Sequence, residues 1–153
     1  CCAVAPGPEL LGALNALARN SRGFAVMIES GGAVDWAAHD HQKGRLVEEQ
    51  LAHHEAVQAV YDWIRVNDPD FRETLLIVTS DHETGNLRVR DRGPGVLPEI
   101  VFGSKDHTNH LVPLYAIGAG SELFREQVVG RDPVRGDYID NTAIYRVIRK
   151  AVR

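Results

Sequence analysis

An α/β fold built on a mostly parallel sheet is what this sequence predicts, on three observations. Two short apolar runs, 24–28 and 75–78, carry no polar interruption and contain β-branched residues, as strands buried on both faces do. Between them Val47, Leu51, His54, Val57, Tyr61 and Ile64 recur at steps of three and four, the spacing of one helix face. The order strand, helix, strand is that of a crossover unit joining parallel neighbours.

Taken in order, residues 8–19 place Leu10, Leu14 and Leu17 at helical spacing, widened by Leu11 and Ala18, and Pro8 suits a first helical turn. The run 24–28 follows as the first strand and leads into Glu29. The stripe above predicts a long helix over 44–66, with His54 packed on its apolar face. The run 75–78 is the second strand and leads into Asp81 and His82. Residues 91–98 are rich in Gly and Pro and read as loop. A third strand is expected over 111–117, where Pro113 argues against a central, fully paired position. Asp140, Asn141 and Thr142 are cap candidates for a helix over 140–152 with Ile144, Val147, Ile148 and Ala151 on one stripe. With no repeat, heptad or shift in composition, residues 1–153 are expected to form one α/β unit.

The 153 residues are 44% hydrophobic and 25% charged, enough for one core-bearing domain, and the formal net charge is −4. Lys and Arg are scattered, so nucleic acid is not an expected partner, and no run has the roughly 18 apolar residues of a membrane span. Cys1 and Cys2 are the only cysteines and are adjacent, so no long loop can be closed by a disulfide between them. The opening Cys-Cys-Ala has no initiator Met or signal pattern, and is expected to be a cut inside a longer protein.

In open α/β sheets functional groups gather at the carboxyl ends of strands, where Glu29, Asp81 and His82 are expected. Asp35 and His39 are four apart and share a face if that stretch is helical. His107 follows the loop 103–106. Mixed carboxylate and imidazole donors suit Zn²⁺, and an all-oxygen set suits Mg²⁺. Each piece has an ordinary structural explanation: a surface helix pair for Asp35 and His39, a strand-end turn for Asp81 and His82, an exposed loop side chain for His107. His53, His54 and His110 carry only the ordinary one.

Three segments change that balance together. Met27-Ile-Glu-Ser-Gly-Gly-Ala-Val-Asp-Trp-Ala-Ala-His39, Thr79-Ser-Asp-His-Glu-Thr-Gly85 and His107-Thr-Asn-His-Leu-Val-Pro-Leu-Tyr115 resemble, in order and approximate spacing, the metal-binding segments of the alkaline phosphatase family. The resemblance implies a three-layer α/β/α sandwich with a mostly parallel sheet, incomplete on its N-terminal side, of which this chain is the C-terminal portion. It implies two zinc ions and one magnesium ion. Asp35, His39 and His107 would bind one zinc, Asp81 and His82 would contribute to the second, and Glu29 would help hold magnesium. Six steps separate Glu29 from Asp35 where the family pattern has five, so the Ser30-Gly31-Gly32 turn carries one extra residue.

The implied reaction is hydrolysis of phosphate monoesters through a phosphoseryl intermediate, with two metals bracketing an in-line displacement. The family's serine nucleophile, its bridging aspartate, a hydroxyl ligand of magnesium and a phosphate-clamping arginine have no matching motif here. They are expected from the missing N-terminal half of the same protein, and the isolated chain is expected to be inactive and marginally stable. A homodimer and a periplasmic or secreted location are implied by the resemblance alone. Competing expectations are a related phosphodiesterase, mutase or sulfatase, and a non-catalytic metal-binding fragment.

Overall fold

The computed structural model describes residues 8–151. Four helices and eight short strands follow in the order α1 (Pro8–Leu17), α2 (Gly31–His39), α3 (Lys43–Asn67), β1 (Leu75–Thr79), β2 (Glu83–Thr84), β3 (Arg88–Arg90), β4 (Glu99–Val101), β5 (His107–Thr108), β6 (Leu114–Gly118), a 3₁₀ helix (Ser121–Gln127), β7 (Val128–Asp132), β8 (Gly136–Ile139) and α4 (Thr142–Ala151). The described residues form two compact units, and the division falls within α3 after Val60, again between Asp81 and His82, and a third time between His110 and Leu111.

In the first unit Leu10 and Leu14 bury the inner face of α1. Ala37 and Ala38 of α2 are buried with Leu46 of α3, and Val34, Leu87 and Phe102 pack against them. Small side chains on that face of α2 let the segments carrying Leu87 and Phe102 approach it closely. Those segments form two antiparallel ladders, Arg88–Arg90 with Glu99–Val101 and, outside it in sequence, Glu83–Thr84 with His107–Thr108.

The second unit holds the ladder between β1 and β6, antiparallel with Leu75 opposite Gly118 and Thr79 opposite Leu114. Before β1 the carboxylate of Asp68 accepts the backbone N–H groups of Arg72, Glu73 and Thr74. These bonds close the turn between α3 and the strand. Gly118 ends β6 at φ +99, and a Cβ there would sit 2.0 Å from the Thr74 carbonyl oxygen. Phe124, Ala143 and Val147 are buried where the 3₁₀ helix and α4 meet, and β7 pairs with β8 in an antiparallel hairpin.

Three expectations are corrected. The run 24–28 belongs to no strand, and Met27 is 88% exposed. An apolar run becomes a strand only where a neighbour takes up its N–H and C=O groups, and none of the four ladders includes it. The sheet is not mostly parallel among the described residues, because all four ladders are two-stranded and antiparallel. Strand β1 finds its partner in β6, which runs against it, rather than in a strand reached by the α3 crossover. The buried stripe of α3 is Leu46, Ala56, Val60 and Ile64, while Leu51 is 57% exposed. His54 lies in the open beside Gln50, and its neighbour His53 is the half-buried one, bonded to the Ser30 hydroxyl.

Candidate metal centre

One turn of α2 sets Asp35 and His39 on the same side, since residues four apart in a helix are stacked one above the other. The strand β5 brings His107 to the same place from the other side. The Asp35 Oδ2 lies 3.4 Å from His39 Nε2, and its Oδ1 lies 3.6 Å from His107 Nε2. The two Nε2 atoms are 3.0 Å apart. One ligand atom from each of the three residues lies within 4.8 Å of the other two. A tetrahedral zinc with bonds of about 2.0–2.1 Å has ligand atoms roughly 3.3 Å apart, so the three distances fit that ion. Side-chain exposures of 38% for Asp35, 25% for His39 and 46% for His107 leave one side of the triad open to solvent.

The register of a two-residue ladder decides what reaches this point. Thr84 stands opposite His107, and Glu83 opposite Thr108, so each pair shares one face. On the triad's face, the Thr84 hydroxyl donates to Asp35 Oδ1 at 2.7 Å. With its proton so used, it accepts from His82 Nδ1 at 3.3 Å, which leaves Nε2 of a neutral His82 deprotonated. The His82 ring stacks on that of His107, with centroids 3.6 Å apart. On the opposite face the Thr108 hydroxyl donates to Glu83 Oε2, and the Leu87 N–H donates to Glu83 Oε1. Burial by itself would raise the Glu83 pKa, but these bonds outweigh it and hold the carboxyl below its ordinary value.

Two backbone devices complete the frame. The Nδ1 of His39 donates to the carbonyl oxygen of Lys105, which fixes the ring so that Nε2 faces Asp35 and His107. Gly85 adopts φ +92, and a Cβ there would lie 3.0 Å from Phe102 Cδ1 and 3.5 Å from the Ala38 carbonyl. Only glycine lets the chain after β2 pass between α2 and Phe102 in that left-handed conformation.

Of the six residues singled out in the sequence, Asp35, His39 and His107 meet, and His82 adjoins them through its ring stack. Glu29 and Asp81 are exposed, and neither belongs to a group of three or more candidate ligands among the described residues. Sequence reasoning overlooked Thr84 and the Lys105 carbonyl. The first lay within the quoted Thr79–Gly85 segment, whereas a backbone carbonyl has no residue type to reveal it.

A family model for alkaline phosphatase matches residues 10–146. The repressible alkaline phosphatase of Saccharomyces cerevisiae is 37% identical over 84 residues, which are 55% of this chain and 14% of that protein. Alkaline phosphatase 4 of Bacillus subtilis is 32% identical over 81 residues, 53% of this chain and 16% of that protein. Among solved structures, a mutant alkaline phosphatase of the Antarctic bacterium TAB5 with Mg bound in its M3 site superposes with a TM-score of 0.69. It is 25% identical, and the match covers 95% of this chain and 40% of that one. The chain thus spans well under half the length of the relatives it matches, and its α/β fold is like theirs.

Proposed function

This chain belongs to the alkaline phosphatase family, and we propose that the protein containing it hydrolyses phosphate monoesters, with Asp35, His39 and His107 as the protein ligands of one zinc ion. The observation that carries the reading is the convergence of those three side chains, whose ligand atoms lie within 4.8 Å of one another. Asp81 and His82 are proposed for a second zinc and Glu29 for magnesium, supported by the motifs in which they stand. Zinc held by the triad would supply Lewis acidity, offsetting phosphate charge and lowering the pKa of bound water toward about 7.

The chain's own residues have distinct tasks in this reading. Thr84 holds the Asp35 carboxylate in place through its hydroxyl. The Lys105 carbonyl keeps the proton of His39 on Nδ1, so that Nε2 offers a lone pair. The exposed side of the triad admits the ester oxygen. A serine nucleophile and an arginine clamp would come from outside these 153 residues, and without them the chain alone should be inactive, because metal positioning supplies only part of the transition-state stabilisation. For the whole protein, the three-layer arrangement, an exported location and a homodimer are proposed on family membership alone.

Calorimetric titration of the metal-stripped chain with Zn²⁺ tests the assignment. The chain should take up one zinc tightly, and a variant with Asp35, His39 and His107 all changed to Ala should not. A folded chain, judged by circular dichroism, that binds no zinc would refute the triad as a metal site.

A further inference from the structure

We propose that His41 is a positioning residue for this metal centre, acting through the 103–106 segment that delivers His107; the inference rests on the zinc reading above. His41 lies just beyond α2 and takes a left-handed backbone conformation, φ 57, which is uncommon for a residue with a side chain. From there its Nε2 donates to the Ser104 carbonyl at 2.6 Å. Its ring lies parallel on Phe102, with centroids 4.6 Å apart and planes at 8°.

Three consecutive carbonyls of the segment each accept a hydrogen bond. Ser104 receives His41, Lys105 receives His39, and Asp106 receives the Gly85 N–H at 3.0 Å. In return the N–H groups of Gly103 and Ser104 donate to the Gly85 carbonyl at 2.9 and 3.0 Å. The residue after this segment is His107. Two histidines from the end of α2 therefore grip adjacent peptides, one of them a zinc ligand and the other not.

The consequence is geometric. His39 keeps its tautomer only while the Lys105 carbonyl stays where it is, and the peptide next to it is fixed by His41. Losing the His41 donor would free the Ser104 peptide, loosen the Lys105 carbonyl, and shift His39 and His107 relative to each other. Removing a group bonded directly to a ligand typically weakens metal binding by about 10–100-fold, and His41 acts one peptide further out, so the lower end of that range, about 10-fold, is expected.

The test uses Co²⁺, whose visible absorption reports coordination geometry, titrated into the metal-stripped chain and two variants. His41→Phe keeps a ring to stack on Phe102 but has no donor, and His41→Gln keeps an N–H donor at similar reach but has no ring. We expect His41→Phe to bind Co²⁺ about 10-fold or more weakly with an altered spectrum, while its metal-free melt stays cooperative. His41→Gln should bind within about threefold of the parent. If His41→Phe folds and binds like the parent, the inference fails and the zinc reading stands. If His41→Phe does not fold, His41→Gln decides: near-parent binding supports the inference, and a tenfold loss overturns it. Loss of the fold in both variants would overturn it too, since His41 would then be a structural residue. A parent chain that binds no Co²⁺ refutes the zinc reading and the inference together.

Discussion

His39 and Lys105 are joined across 66 residues of sequence by a bond from the imidazole Nδ1 to a backbone carbonyl oxygen. A carbonyl can only accept, so the proton sits on Nδ1 and the lone pair of the neutral ring sits on Nε2. That lone pair faces His107 Nε2 at 3.0 Å and Asp35 Oδ2 at 3.4 Å. Two imidazole nitrogens and a carboxylate at such distances call for a shared proton or a cation between them.

Thr84→Val should weaken zinc binding by about 10–100-fold, the usual effect of removing a partner of a ligating carboxylate. Valine fills the same space but cannot donate to Asp35 Oδ1. Calorimetry on the variant checks this, and an unchanged affinity would mean that Asp35 is held by its helix alone.

Zinc should also protect the fold. At a free concentration 100 times its Kd, a ligand that binds only the native state adds about 2.7 kcal/mol. The melting temperature should therefore climb with added Zn²⁺ and return with a chelator. The variant lacking Asp35, His39 and His107 should show no such rise.

Gly118→Ala and Gly23→Ala separate crowding from backbone strain. Both glycines are left-handed, at φ +99 and φ +80. At Gly23 a Cβ meets nothing within 4 Å, whereas at Gly118 it would stand 2.0 Å from the Thr74 carbonyl oxygen. Strain alone should cost Gly23→Ala about 1 kcal/mol, within the usual 1–3 for such a conformation. Gly118→Ala should lose clearly more, or unfold the β1–β6 ladder, in urea titrations of the two proteins.

Stability should fall in acid partly through Asp68. Burial opposes its ionised form, but the N–H groups of Arg72, Glu73 and Thr74 and the Thr74 hydroxyl prevail and depress its pKa below the ordinary 3.8. A group depressed in the folded state contributes stability above its unfolded pKa and loses it as pH falls through the folded value. Asp68→Asn should thus melt below the parent at pH 7, and the two should converge as pH drops below 3.8. A constant gap across that range would show that the turn does not depend on the charge.

The long helices were legible because their apolar spacing repeats over several turns. Leu10 and Leu14 on α1 and Ile64 on α3 are buried as their periodicity requires, and Val147 on α4 likewise. The run 24–28 misled because five apolar residues in a row record no partner, and an extended segment reads the same whether or not a ladder receives it. Strands as short as Glu83–Thr84 and His107–Thr108 contain no period to detect, yet their register places Thr84 beside His107. Within the candidate site, Asp35, His39 and His107 stood out through motif wording. The grip of Lys105 on His39 is a backbone contact and leaves no trace in residue type.

The ladder of β2 with β5 encloses that of β3 with β4, and the loop 91–98 closes the inner one. Such nesting makes the stretch between the two outer strands a sealed stem, whose tip is insulated from its base. The outer pair fixes Thr84 against His107 whatever the length of chain beyond it. Polypeptide added to the 91–98 tip, or a tag displayed there, would lengthen the tether between Thr84 and His107 without changing their spacing in space. The centre is thus blind to how far apart in sequence its parts lie, and the tip is the natural port for engineering this chain.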